Sequence, residues 1–215
     1  MIPDWETVRR TMIEGQLRAR GIRDERVLRA MESIPREEFV PPDVRLLAYR
    51  DDPVPIGLGQ TISQPYMTAL MAEVLDLKGT ETVLEVGAGC GYAAAVLGSL
   101  AARVIAVEIV PALAQMARDN LRRVGRDANI TVISGDGSMG HALFAPYDAI
   151  SVAAAAPEIP TALVEQLRDP GWLVVPVGSL DDQELRVVRK ERGRTEYSVR
   201  TYCRFVPLRG GEGWQ

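Results

Sequence analysis

Histidine is nearly missing from this 215-residue chain: there is one, His141. No Ser-His-Asp or Cys-His constellation is evident, which argues against nucleophilic catalysis of the protease or esterase kind. Cysteine is scarce too. Cys90 and Cys203 stand far apart and form no CxxC, so the sequence suggests neither a zinc site nor a disulfide framework. No apolar run reaches the roughly 18 residues of a membrane span. The opening MIPDWETVRR has no apolar signal-peptide core. Positive charge is outnumbered, with 25 Lys and Arg against 29 Asp and Glu and a formal net charge of −4. A nucleic-acid binder would carry a basic stripe, and the run RKERGR reads as a solvated turn of mixed sign. These absences lead us to expect a cytoplasmic protein with no metal, nucleic-acid or membrane partner.

What is present describes an ordinary globular chain. Apolar residues make up 47% and charged residues 25%, enough for one domain with a full core. Asp4 to Arg20 places Val8, Met12, Ile13 and Leu17 at helical spacing, and Glu25 to Ser33 reads as a second short helix. The proline-rich IPREEFVPPDV follows, so residues 1–57 are expected to form a helical cap with irregular loops. Residues 58–215 are expected to form the core of the same single domain. QTISQP, Gln60 to Pro65, lies in a loop ahead of what reads as an amphipathic helix.

Beyond it, strands and helices alternate. TVLEVG, RVIAVE, ITVISGD, YDAISVAAA and GWLVVPVG read as strands, and YAAAVLGSLA, PALAQMARDNLRRVG and PTALVEQL as helices. That alternation predicts a parallel sheet covered on both faces. QELRVVRK and YSVRTYCRFVPL alternate apolar and polar residues and should pair as an antiparallel hairpin at the sheet edge. The fold class is therefore α/β, a doubly wound, mostly parallel sheet.

The first strand runs into EVGAGCG, which puts Glu85 at a strand end and Gly87, Gly89 and Gly91 in the turn before a helix. One glycine would suffice for a tight turn; three at alternate positions suggest main chain brought close to a ligand. A P-loop GxxxxGK[ST] is absent, and Tyr92 stands where a dinucleotide fingerprint needs its third glycine. The ligand should therefore lack a pyrophosphate. Glu108 ends the second strand, where a carboxylate can accept hydrogen bonds from ribose hydroxyls. Asp136-Gly137 ends the third, where an acid could meet an adenine amino group. With no cationic phosphate clamp, a positively charged ligand fits better: adenosine, ribose and a cation together describe S-adenosylmethionine.

The set EVGAGCG, AVE and GDG resembles class I S-adenosylmethionine-dependent methyltransferases. GQTISQPYM, APYDAISVAAAAPEIP, LVVPVG and RFVPL narrow the resemblance to protein-L-isoaspartate O-methyltransferases, from about residue 10 to residue 208. The resemblance implies a seven-stranded sheet and methyl transfer to the α-carboxylate of isoaspartyl residues in peptides and proteins. It maps the active-site serine onto Ser63, with Thr61 a second donor to the substrate carboxylate. It also implies cofactor contacts from Gln60, Ile62, Glu85, Gly87, Ala88, Gly89, Cys90, Glu108, Asp136 and Gly137, with substrate main chain near Arg204 to Leu208. Ser63 just before Pro65 could alternatively serve as a helix N-cap. Three positions depart from the family's pattern: Cys90 where relatives carry Ser or Thr, Ala153 for a threonine, and Arg209 for a threonine. A methyltransferase acting on a dedicated peptide, or a non-catalytic sensor of the same cofactor, are the alternative readings. QTISQP argues against the sensor, which has no use for a second, anion-shaped site.

Overall fold

The computed structural model describes residues 3–214. Asp4 caps the first helix, α1 (Trp5–Met12), its carboxylate accepting the amides of Glu6 and Thr7. The coil continues through a π turn at Ile13–Leu17 and a 3-10 turn at Arg18–Arg20, and Gly21, at φ +95°, stops it. α2 (Glu25–Ser33) is capped by Asp24, which accepts the Arg26 amide. Two 3-10 turns follow, Arg36–Phe39 and Pro42–Leu47.

The expected loop after them is partly ordered as sheet. β1 (Val54–Gly57) pairs antiparallel with β2 (Gln60–Ile62) around a turn in which Leu58 and Gly59 both have positive φ. The expected division after residue 57 therefore runs through a hairpin. α3 (Pro65–Val74) begins on its proline, as the sequence indicates. It is not amphipathic: none of its residues is exposed, because the cap covers the face turned away from the sheet.

The remaining elements follow the predicted alternation. They are β3 (Thr82–Val86), α4 (Tyr92–Gly98), β4 (Arg103–Glu108), α5 (Pro111–Arg123), β5 (Ile130–Ser134), β6 (Tyr147–Val152), α6 (Thr161–Glu165), β7 (Leu167–Gly178), β8 (Gln183–Glu191) and β9 (Arg194–Cys203). The seven-stranded sheet runs β5-β4-β3-β6-β7-β8-β9. Every neighbouring pair from β5 to β7 is parallel, and β7-β8 and β8-β9 are antiparallel. The chain winds to one side of β3 and then the other, so the switch point lies at the carboxyl end of β3. The hairpin turn is tighter than expected, Arg192-Gly193, with the Asp169 carboxylate accepting both amides.

Pleating divides the core. Val83 of β3 faces a large cluster built with α1 to α5, while Leu84 and Val86 face a second cluster with Ile150, Leu163 and Leu173. Each such aliphatic side chain stabilises the fold by about 1.5–3 kcal/mol when taken out of water. β9 was expected to run on through Leu208 but ends at Cys203. Residues 205–214 leave the hairpin and cross the carboxyl end of β6. There Val206 and Leu208 bracket Ala155 with backbone bonds of 2.8 Å each, and the Trp214 indole donates to the Ala155 carbonyl at 3.0 Å. Among the described residues, no helix is long and apolar enough to cross a membrane.

Candidate active site

The glycine turn joins β3 to α4 with Gly87, Gly89 and Gly91 at φ +89°, +54° and +90°. All three need the left-handed freedom of glycine, but they serve different ends. Gly87 and Gly89 face a cleft. Gly91 faces α5, where a Cβ would lie 3.2 Å from the Ala117 main chain, so it admits close packing of the two helices rather than a ligand. Glu108, buried at the end of β4, holds the turn from below. One carboxylate oxygen accepts the Gly89 amide at 2.8 Å and the other the Val110 amide at 2.9 Å.

The cleft over this turn has about 820 Å³ of open space. Gln60, Thr61, Ile62 and Ser63 form one wall and Gly87, Ala88, Gly89 and Cys90 the other, with Glu108 and Gly137 at its floor. Ten of the twelve residues singled out from the sequence thus meet there. Val107, Ile109, Val110 and Leu208 add apolar surface, and Arg209 is the only basic side chain among the described lining residues.

Two candidates do not reach the wall. Asp136 was expected to face the ligand, but its carboxylate is taken up by the Ser138 hydroxyl and amide and by the Gly211 amide at 2.8 Å. Burial works against its charge, yet these donors hold its carboxyl below the usual value. It thus ties the returning C-terminal segment to the end of β5. Glu85 lies under the turn, fully buried, with neither oxygen bonded. Burial, and then the neighbouring Glu108 charge, push its carboxyl well above the ordinary carboxylate range. Cys90 lines the cleft, and burial pushes its thiol up to about 11, so it is un-ionised at neutral pH. His141 packs on Phe144 and lies outside the cleft.

On the opposite wall, the residue entering α3 is Gln64, with no side-chain cap, so Ser63 is not an N-cap. The hydroxyls of Thr61 and Ser63 have no hydrogen-bond partner among the described residues. The Ser63 carbonyl does have one, in a residue the sequence reading passed over: Arg36. This guanidinium is completely buried. Its Nη2 donates to the Ser63 carbonyl at 2.7 Å and its Nε to the Ala48 carbonyl at 2.5 Å, and it lies 4.8 Å from the Tyr92 ring. Nothing in the segment IPREEF marks one of its charges as internal; only the tertiary fold does.

A second groove, with about 930 Å³ of open space, lies between the cap, α3 and the end of β9. Arg20, Tyr66, Tyr202 and Arg204 line it, and no acidic side chain does among the described residues. The Arg20 guanidinium stacks on Tyr66 at 3.5 Å and pairs with Asp51. Four residues belong to both hollows: Thr61, Ser63, Ala153 and Val206. The two meet at the hydroxyl pair of QTIS.

Residues 8–213 match the family described as Protein-L-isoaspartate(D-aspartate) O-methyltransferase. The chain is 54% identical over 206 residues to a protein-L-isoaspartate O-methyltransferase of Koribacter versatilis, covering 96% of this chain and 92% of that one. A solved protein-L-isoaspartate O-methyltransferase superposes with a TM-score of 0.83 at 30% identity, over 95% of this chain and 66% of that one. A Plasmodium falciparum protein assigned to the same enzyme, in complex with S-adenosyl-L-homocysteine, superposes with a TM-score of 0.81 at 27% identity, over 94% of this chain and 98% of that one. A match that spans residues 8–213, and so includes both the glycine turn and the QTIS wall, settles the lineage: the chain belongs to the protein-L-isoaspartate (D-aspartate) O-methyltransferase family.

Proposed function

We propose that this chain transfers a methyl group from S-adenosylmethionine to the α-carboxylate of L-isoaspartyl residues in damaged peptides and proteins. The resulting ester collapses to a succinimide that partly reopens as ordinary aspartate, so the reaction starts a repair. The observation that carries this reading is the junction: unpaired hydroxyls of Thr61 and Ser63 stand where the glycine-turn cleft meets a groove bearing Arg20 and Arg204.

The cleft suits the cofactor. Each oxygen of Glu108 spends one lone pair on a backbone amide and keeps another, so a ribose diol has acceptors there. Val107, Ile109, Val110 and Leu208 suit a planar base. Among the described lining residues Glu108 is the acidic side chain and Arg209 the basic one, and no lysine is present to clamp a phosphate. That environment favours a cationic ligand. When bound, S-adenosylmethionine supplies an electrophilic methyl group.

The residues of the chain then have a limited task. A substrate carboxylate has an ordinary pKa near 4 and is already ionised at neutral pH, so no general base is required. Neither hollow contains a histidine. Thr61 and Ser63 hold the carboxylate by donating to it, and alignment of this kind contributes several kcal/mol. Ala153 and Val206 keep the junction apolar, and exclusion of water favours a step in which opposite charges neutralise each other. The departures are compatible with this: the un-ionised Cys90 leaves anion contacts to the turn's amides, and Arg209 stands at the rim.

On this reading the whole chain acts as one methyltransferase domain, at work in the cytoplasm, with isoaspartyl peptides and proteins as its partners. Methyl transfer to a synthetic isoaspartyl peptide, measured beside its aspartyl twin, tests the function. Turnover on the first and none on the second is expected. Equal rates on both, or none on either, would overturn it.

A further inference from the structure

Arg36 stands out because stability alone does not explain a charge at its position. It is fully buried, and among the described residues no carboxylate pairs with it and its Nη1 has no hydrogen-bond partner. A buried charge lacking its counter-ion is costly. Arginine nevertheless stays charged at neutral pH, since its ordinary pKa is far above it. What the side chain does hold is specific. It bridges the carbonyls of Ala48 and Ser63 at 2.5 and 2.7 Å, and so fastens the end of the second 3-10 turn to the joint between β2 and α3. Arg36 is itself fixed at its base: its amide donates to the Tyr49 hydroxyl at 3.1 Å, and that hydroxyl bonds Arg9 and Glu37.

The joint is the part of the site that needs fixing. The chain turns there from strand to helix, with Gln64 at φ −46° and ψ 138°. No side chain caps α3 at that point. Ser63 and Thr61 make no hydrogen bonds through their own hydroxyls. Their direction is set by the main chain alone, and the peptide plane after Ser63 is free to tilt unless its carbonyl is held. Arg36 lines neither hollow.

We propose that Arg36 is a positioning residue for methyl transfer: by gripping the Ser63 carbonyl it fixes the strand-to-helix joint and aims the hydroxyls of Ser63 and Thr61 at the junction of the two hollows. The inference rests on the reading of Ser63 as a donor to the substrate carboxylate. Displacing a reacting group by about 1 Å can cost a hundredfold in rate. Arg36→Lys keeps the charge but cannot span both carbonyls with its single ammonium, and Arg36→Met keeps the bulk alone.

The test is a double-mutant cycle on the full chain. Each Arg36 variant is made alone and together with Ser63→Ala, with kcat and KM for an isoaspartyl peptide and calorimetric affinity for S-adenosylmethionine measured on every protein. Both single variants should lose about tenfold to a hundredfold in kcat. Cofactor affinity should stay within about twofold of wild type, and Arg36→Met, which frees the Ala48 and Ser63 carbonyls, should melt lower than Arg36→Lys, which keeps a donor for one of them. In the Ser63→Ala background, most of the Arg36 effect should vanish, because its target no longer carries the hydroxyl. Wild-type kcat in Arg36→Lys, or an undiminished loss in the Ser63→Ala background, overturns the proposal while leaving Ser63 in its role. Wild-type turnover in Ser63→Ala alone refutes the parent reading instead. Should Arg36→Met fail to fold, the lysine variant decides.

Discussion

The two walls of the cleft are built on opposite plans. The glycine-turn wall offers main chain and is pinned from beneath by an acid, Glu108, whose oxygens accept the amides of Gly89 and Val110. The QTIS wall offers side-chain hydroxyls and is pinned by a base, Arg36, which donates to the Ser63 carbonyl. One wall is suited to binding a ligand whose shape matches a groove, the other to orienting a reacting group. Glu108 lines the cleft it braces, with its carboxylate in both the loop and the wall. Arg36 lies behind its wall and acts only on the chain.

That contrast gives an order of expected effects. Ser63→Ala should be the most damaging to turnover, at least about a hundredfold, since removal of one oriented donor in a water-poor site has that scale. Its melting temperature and cofactor affinity should hardly move, because its hydroxyl bonds nothing in the folded chain. A collapse in melting temperature would mean the two walls are not divided this way. Glu108→Ala should weaken S-adenosylmethionine binding by about tenfold to a hundredfold, as loss of charged hydrogen bonds implies. Unlike Ser63→Ala, it should also lower stability by about 1–3 kcal/mol through the two freed amides. Calorimetry and urea unfolding on one sample check both halves, and unchanged affinity removes Glu108 from the ligand's contacts.

Thr61→Val should resemble Ser63→Ala in kind and be milder, about tenfold in kcat; a loss confined to cofactor affinity would move Thr61 to the binding wall. Beneath that wall, Glu85 gives a pH signature. Its carboxyl keeps its proton in the fold while the unfolded chain loses it above about pH 4.5, so folding holds the extra proton and stability falls as pH rises past that point. Glu85→Gln cannot ionise. Its stability relative to wild type should therefore climb by as much as about 1.4 kcal/mol per pH unit between pH 5 and the pH at which folded Glu85 ionises. A constant difference in urea unfolding from pH 5 to 8 would show that the buried acid is ionised in the fold. The smallest effect is expected on chemistry itself. Single-turnover rates at saturating cofactor should be nearly flat from pH 5 to 8, as the nucleophile is a substrate carboxylate and His141 lies outside both hollows. A steep rise near pH 6.5 would contradict this.

The sheet was legible because its signals are local. Strands such as Arg103 to Glu108 are continuous apolar runs, and helices such as Pro111–Arg123 open on a proline, so both could be bounded closely. The β1–β2 hairpin was hidden because its strands have four and three residues and its prolines and glycines read as loop. α3 looked amphipathic because no local pattern announces that the cap covers its far face. Asp136 lies off the cleft wall for a similar reason. Its carboxylate answers to Gly211, 75 residues away in sequence, and nothing at a strand end advertises such a partner. Arg36 and Ser63 are 27 residues apart. The residues that line the cleft left a local motif, whereas Arg36, which braces one wall from behind, did not.

The sharing of Thr61, Ser63, Ala153 and Val206 between two hollows, each open to solvent along part of its wall, bears on the order of events in a catalytic cycle. Apart from those four residues the groove between cap and hairpin and the cleft above the glycine turn have separate linings. If the proposed occupants are right, the expected order is random: either ligand arrives first and either product leaves first. Initial-rate patterns for such an arrangement intersect, and each product competes with its own parent alone. A molecule that tethers an adenosine to a peptide through the aperture at Ser63 would close both doors at once.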